Sequence, residues 1–146
     1  MIMLERRLKS SSSSMMASDS KSMAHKAMAN LIYEMLHAST KTHITHLMTT
    51  SYAAHKALNE FYDDILGKAD DLAEQYQGHV EMILEYPAQM DIPMLKTPEE
   101  AIIYLRNLYD KISSVQSMMT CSSIINTMDE AKALINSTKY KLIFLK

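Results

Sequence analysis

Histidines and carboxylates recur at helical spacing between residues 43 and 74 of this 146-residue chain. Two of the histidines, His43 and His55, lie on either side of a predicted turn near residue 49, each six residues from it. Residues at equal distances from the turn of an antiparallel helical hairpin lie level with each other, so we expect these two imidazoles to face each other. Facing imidazoles are typical metal ligands. The alternative is that both are core or interface histidines bonded to hydroxyl groups.

Further polar side chains follow His55 along the predicted second helix. They share an arc of about 100°, and the set is His55, Asn59, Asp63, Asp70 and Glu74. His55 and Asp70 are separated by about 22 Å of helix, so one chain cannot gather the histidine pair and the distant carboxylates around one ion. An antiparallel partner related by a two-fold axis would bring one chain's histidines to the other chain's carboxylates. The alternative is a solvated acidic helix edge.

This spacing resembles the metal site of the Dps mini-ferritins, the DNA-protecting proteins of starved cells. The positions that carry the resemblance are His43, His55, Asn59, Asp70 and Glu74, with the segment Asp70-Asp71-Leu72-Ala73-Glu74 similar in character to the family's segment. The resemblance implies a two-fold interface that binds and oxidises iron. In it, two histidines and an aspartate of one subunit face an aspartate and a glutamate of the other, and twelve subunits form a hollow shell. The helix layout extends the resemblance over most of residues 23–146.

Several positions depart from the pattern of the mini-ferritins. Asn59 replaces the family's aspartate, which removes a charge and leaves a poorer iron ligand. Ile44 replaces its aromatic residue, and the chain has no tryptophan. His46 and Asp63 lie beside the matched positions and are secondary candidates for metal binding. The block from His43 to residue 78 is also similar to uncharacterised ferritin-like proteins of bacteriophages.

Two functions of different classes therefore stay open. The first is a Dps-like subunit that binds, oxidises and sequesters iron at a two-fold interface, which would make it a ferroxidase weakened by Asn59. The second is a non-enzymatic, ferritin-like structural or decorating subunit of a larger assembly such as a phage virion, in contact with other virion or shell proteins. The expected location is the cytoplasm for the first function and the virion for the second.

Composition and periodicity predict the helices that position these residues. With 2 Gly and 3 Pro, the chain has few positions that end a helix. Helices are predicted near 23–48, 51–77, 98–119 and 128–144, with a long connection at 79–96. Two short links and one long crossover between the second and third helices predict an all-α, ferritin-like four-helix bundle over residues 23–146.

Four local signals set these predicted boundaries. Ser51 is expected to cap the second helix, and Gly78 to end it in a left-handed conformation. Thr97 is expected to cap the third helix, with Pro98 at its first position and Glu100 completing a capping box. Thr127 with Glu130 predicts a second capping box at the start of the last helix.

Residues 1–22 form a predicted N-terminal arm that contains five consecutive serines at 10–14. Its composition is typical of a flexible segment. The basic residues of this region exceed the acidic ones by 3, which predicts weak, salt-sensitive DNA binding at most; they are Arg6, Arg7, Lys9, Lys21 and Lys26 against Glu5 and Asp19. For the whole chain, 15 Lys and Arg against 17 Asp and Glu argue against a dedicated nucleic-acid binder.

Other function classes are disfavoured by simple counts. The single cysteine, Cys121, excludes a disulfide framework. No histidine lies at a spacing that would activate Cys121 as a catalytic nucleophile. No apolar run is long enough for a membrane span, and we expect no secretory signal.

The last helix ends in four consecutive apolar residues, at 142–145. These sweep about 300° around a helix, so one bundle core cannot receive them all. We therefore expect self-association through this C-terminal tail as well as through the two-fold interface. The alternative is that the tail folds back over apolar residues of the crossover, namely Met90, Ile92, Met94 and Leu95.

Overall fold

The structure is a computed structural model that describes the backbone of residues 2–89 and 93–145, with side chains from residue 15 onward in those ranges. Its helices are α1 (Ile2–Met48), α2 (Tyr52–Val80), α3 (Pro98–Gln116) and α4 (Ser122–Phe144). No strand occurs in the described backbone, so the predicted all-α class is confirmed. Among the helices described, none combines the length and apolar character that a membrane crossing requires.

Side-chain contacts fix the direction of each helix. The hydroxyl of Ser39 donates to the Tyr62 carbonyl across α1 and α2, which makes these helices antiparallel. Helices α2 and α4 are antiparallel as well, with ion pairs that join Lys68 to Glu130 and Lys141 to Glu60.

Helix α3 runs antiparallel to α1 and therefore in the same direction as α2. This orientation follows from two contacts, Glu34 to Lys111 at 2.6 Å and the Lys41 Nζ atom 4.4 Å from the centre of the Tyr104 ring. The connection between α2 and α3 must then return along the bundle. Its described end lies beside the end of α1, where the Thr45 hydroxyl donates to the Leu95 carbonyl at 2.9 Å.

Two predicted caps are confirmed. The Ser51 hydroxyl accepts from the backbone N–H of Ala54, and the Thr97 hydroxyl accepts from that of Glu100. The Glu100 carboxylate, however, accepts from the backbone N–H of Lys96, one residue before the position that a capping box requires.

The first helix begins at Ile2 and not near residue 23, so the arm at 1–22 is helical across its described backbone. Serine is only moderately unfavourable inside a helix, and this stretch contains neither glycine nor proline. Extending an existing helix also avoids the cost of nucleation. The expectation of a flexible arm rested on composition alone and did not include this effect.

Three further helix ends differ from the prediction, and one of them is the end of α3, which lies at Gln116 and not near residue 119. Helix α2 continues past Gly78 to Val80, and Glu81 takes the left-handed conformation with φ of 54°. Helix α4 begins at Ser122, with Cys121 at its cap position. Thr127 therefore lies inside the helix. Its hydroxyl donates to the Gln75 side chain instead of capping, which excludes the predicted capping box.

The core is an apolar interior shared by all four helices. Its largest fully buried side chains are Met28, Ile32, Met35, Leu58, Phe61, Ile65, Leu72, Leu105, Leu108, Ile112, Ile124 and Met128. Polar side chains are buried at several places, among them Thr127 and Thr138 on α4 and the pair Glu34 and Lys41 where α1 meets α3. There the Tyr104 hydroxyl is buried without a hydrogen-bond partner among the described residues, and burial raises its pKa well above the usual range.

Adjacent residues of α2 give a matched test of this core. Ile65 is fully buried and Leu66 is about half exposed. We expect Ile65→Ala to lower the free energy of unfolding of the separate chain by about 2–5 kcal/mol because it leaves a cavity, and Leu66→Ala to change it by less than about 0.5 kcal/mol. Urea unfolding followed by circular dichroism measures both. Equal losses for the two variants would contradict the assigned orientation of α2.

Candidate functional site

Two histidines bind each other's backbone across the α1–α2 turn. The rings of His46 and His55 are stacked with centroids 3.7 Å apart. The Nδ1 atom of His46 lies 2.8 Å from the His55 carbonyl oxygen, and that of His55 lies 3.1 Å from the His46 carbonyl oxygen. Because a carbonyl only accepts, both Nδ1 atoms carry a hydrogen, and in the neutral form of each ring the lone pair is on Nε2.

This reciprocal pair also satisfies the end of a helix. The carbonyl of His46 belongs to the last turn of α1, where carbonyls lack a partner within the helix. The His55 ring supplies that partner. His46 is almost fully buried, whereas His55 is only partly so. The pair therefore joins the end of α1 to the start of α2 and sets the tautomer of both rings.

His43 takes a different partner from the one expected. Its ring stacks on Tyr62 at 4.0 Å with planes 13° apart, and it meets the edge of the His46 ring at 5.7 Å. The expected pairing of His43 with His55 placed the turn at residue 49. The contacts of Ser39 with Tyr62 and of His46 with His55 both centre the turn between residues 50 and 51. This shift makes His46 level with His55.

Tyr62 links the histidines to the middle of α2. Its hydroxyl donates to the Asn59 side-chain oxygen at 2.9 Å, and the Asn59 amide donates to the Asp63 carboxylate at 3.4 Å. The centres of the Tyr62 and His46 rings are 5.3 Å apart, in an edge-to-face arrangement. Spacing did not identify Tyr62 as a candidate residue, because its contact with His43 depends on where the turn is centred.

The remaining candidate ligands are exposed on α2. Asp63, Asp70 and Glu74 face outward, on the same arc of the helix as His55 and Asn59. Asp70 is still about 22 Å of helix beyond His55. Among the described residues, no group of three His, Cys, Asp or Glu side chains is placed to hold one metal ion. The chain thus presents imidazoles and carboxylates on one outward surface without bringing them together.

The stacking restricts how the histidines could bind a metal. The lone pair of each Nε2 atom lies in the plane of its ring, and a metal lies about 2.0–2.1 Å from the nitrogen. The planes of His46 and His55 are only 23° from parallel, with ring centres 3.7 Å apart. In this arrangement the two rings cannot direct their lone pairs at one ion. His43, which is exposed, is not subject to this limit.

Cys121 lies apart from this cluster, at the start of α4. Hydrogen bonds from the Ser123 hydroxyl, 3.2 Å from the Cys121 sulfur, and from the backbone N–H of Ile124 lower the pKa of the thiol. Both donors belong to the first turn of α4. The lowered pKa is therefore a local effect of the helix start.

His46 and His43 provide a matched test of the structural role of the stacked pair. We expect His46→Ala to lower the free energy of unfolding by about 2–3 kcal/mol, because it removes a buried ring and the donor to the His55 carbonyl. We expect His43→Ala to cost under about 1 kcal/mol, because that side chain is exposed. Thermal and urea unfolding measure both. A larger loss for His43→Ala would show that the stacked pair does not stabilise the turn.

The thiol of Cys121 gives a prediction about pH. Only the thiolate reacts with iodoacetamide, so the lowered pKa of Cys121 moves the rise in alkylation rate to a lower pH than that of an unperturbed thiol. Ser123→Ala removes the hydroxyl that stabilises the thiolate and should move the rise to higher pH. The control is Ser122→Ala. A profile that Ser123→Ala leaves unchanged would contradict this cause.

Comparison with known proteins identifies a family but no activity. The chain matches the model of a family of unknown function, DUF5856, over residues 46–142. No curated protein matches the chain, and no solved structure does. The matched segment begins at His46 and includes α2, α3 and most of α4. It covers about two thirds of the sequence, and the chain therefore belongs to the DUF5856 family.

Proposed function

We propose that this chain is a subunit of a ferritin-like, Dps-like assembly that binds and oxidises iron at a two-fold subunit interface. The observation that carries the proposal is the outward arc of α2. One end of this arc holds His55 with a free Nε2 lone pair, and the other end holds Asp70 and Glu74. Imidazole nitrogen and carboxylate oxygen together make a suitable ligand set for iron.

A two-fold axis across α2 would complete such a site. The axis would pass near residue 63, about midway between His55 and the distant carboxylates. An antiparallel copy would then place its Asp70 and Glu74 beside His55 of the first chain, and the reverse contact would form as well. Iron would take His55 and His43 from one subunit and the two carboxylates from its partner.

Leu66 and Gly67 support a helix contact at this position. At about 100° per residue, Leu66 falls within the polar arc, where about half of its surface is exposed. Gly67 is next to it, and no atom lies within 4 Å of where its side chain would begin. An exposed leucine beside a residue without a side chain allows two helices to approach closely. Contact between two α2 helices would bury the leucine.

The chemistry of the site would be the oxidation of bound Fe(II) to Fe(III). Each ferrous ion gives one electron to a dissolved oxidant, which is oxygen or hydrogen peroxide. The carboxylates of Asp70 and Glu74 would stabilise the higher positive charge of the product. Asn59 contributes no charge, and the Tyr62 hydroxyl already donates to its oxygen. Asn59 therefore limits the rate in this proposal.

Iron oxidation by purified variants tests the proposal. Aerobic addition of ferrous iron, followed by the ferric-oxo absorbance, should show oxidation above the buffer rate for the intact chain. We expect His55→Ala and the pair Asp70→Asn with Glu74→Gln each to lower the rate at least tenfold. The control is His79→Ala, which removes an exposed histidine at the far end of α2. Asn59→Asp should raise the rate, because it restores a charged ligand.

The second candidate is a non-enzymatic structural or decorating subunit of a larger assembly, such as a virion. It is favoured by Asn59 and by the stacking of His46 on His55, which commits two rings to a structural contact. Oxidation at the buffer rate, no gain from Asn59→Asp and no metal by elemental analysis would overturn the iron proposal in favour of this one. In the first case the protein would act in the cytoplasm and in the second within the particle.

A further inference from the structure

A groove of about 770 Å³ opens at the end of the bundle where α2 stops, between α1 and the connection that follows α2. Its first wall follows α1 from Ser18 to Asn30, about 18 Å of helix, and its second wall is the segment 82–87. We name it the α1 groove. Its volume falls within the range of small-molecule sites, roughly 300–1,000 Å³. None of the described residues that line it is a proposed ligand for iron.

The wall formed by α1 consists of hydrogen-bond donors. Lys21 and Lys26 are exposed and bring two positive charges, and the described lining holds one carboxylate, that of Glu85, on the other wall. A surplus of positive charge together with donors along one wall selects an anionic group. Every side chain of the α1 wall can donate a hydrogen bond, and the set is Ser18, Lys21, Ser22, His25, Lys26 and Asn30.

A buried tyrosine holds His25 from behind. The Nδ1 atom of His25 lies 2.9 Å from the hydroxyl oxygen of Tyr76, whose side chain is almost fully buried. Burial raises the pKa of Tyr76, which keeps this hydroxyl protonated and able to donate to Nδ1. The ring hydrogen of His25 is then on Nε2, and no described residue accepts it. The contact therefore orients a further donor in the α1 groove.

Gln77 fixes the opposite wall of the groove. Its side-chain oxygen accepts from the backbone N–H of Leu84 at 2.9 Å and from the Tyr86 hydroxyl at 3.4 Å. Its backbone carbonyl accepts from the N–H of Met82 at 3.2 Å. The side chains of Met82 and Tyr86 are exposed, and that of Ile83 is 78% exposed. A largely apolar wall, held by hydrogen bonds, therefore faces the donors of α1.

The dimensions of the groove favour a small molecule over a segment of a protein. An α-helix is about 10–12 Å across with its side chains, so fewer than about two turns would fill the groove. A specific contact with another protein usually needs about 800 Å² on each partner. A basic wall opposite an apolar wall instead matches a molecule with one acid group and an apolar chain.

We propose that the α1 groove binds a small anionic amphiphile, a molecule in which a carboxylate or phosphate group is joined to an apolar chain. Lys21, Lys26 and the Nε2 atom of His25 take the acid group. The apolar wall that includes Ile83 covers the chain. The site does not depend on iron, because its lining residues are separate from the proposed iron ligands.

Calorimetric titration of the intact chain in iron-free buffer tests the site. Decanoate and decyl phosphate, each below the concentration at which it forms micelles, should show saturable binding with one molecule per chain. Each fully buried CH2 group strengthens binding about fourfold, so octanoate should bind at least threefold more weakly than decanoate. Decanol, which has no charge, and acetate, which has no chain, should each bind at least tenfold more weakly.

Two pairs of variants test the two walls. Lys21→Gln with Lys26→Gln should weaken decanoate binding at least fivefold. The matched control, Lys96→Gln with Arg106→Gln, removes the same charge from exposed residues outside the groove and should keep the affinity within twofold.

For the apolar wall, Ile83→Ser should weaken decanoate binding at least threefold. Its control is Ile103→Ser, because Ile103 is also exposed but lies on α3. All these side chains are exposed, so each variant should keep the circular dichroism spectrum of the intact chain. The proposal is overturned if decanoate shows no saturable binding, if decanol binds as tightly as decanoate, or if the groove variants bind decanoate as tightly as their controls.

Discussion

Helix α2 has to bury one side between α1 and α4, and the rest of the structure depends on this packing. Phe61, Ile65 and Leu72 are fully buried there. Each large apolar side chain removed from water contributes about 1.5–3 kcal/mol, so rotation of the helix would cost several times that amount. The side opposite the core must then face outward. The candidate ligands lie on that outward side.

The same constraint limits which residues can replace one another. Asp63 is one turn beyond Asn59, and in the proposed iron site it would take the place of the aspartate of the mini-ferritin pattern only if α2 rotated or slid by a turn. The buried side of α2 prevents this movement. Asp63 instead accepts a hydrogen bond from the Asn59 amide. In the proposed site, Asp63 would therefore not supply the charge that Asn59 lacks.

Neighbouring rings of the histidine cluster differ in whether they stabilise the turn or are free to bind a ligand. His46 is buried and tied to α2, whereas His43 is exposed and only stacks on Tyr62. His55 is intermediate, with one nitrogen bound to a carbonyl and the other free. In metal sites, a hydrogen bond from the distant ring nitrogen commonly orients a histidine ligand. The bond that stabilises the turn would thus also orient His55 toward a partner subunit.

The sequence by itself determined the helical class, the caps at Ser51 and Thr97 and the face on which the α2 ligands lie. These features depend on local spacing, because a helix repeats regularly over a few turns. Only the tertiary structure decided that His46, not His43, pairs with His55, since a shift of one or two residues in the turn changes which side chains are level. It also decided where α1 and α4 begin. Helix α1 continues through the arm that composition predicted to be flexible, and packing places the start of α4 before the predicted capping motif.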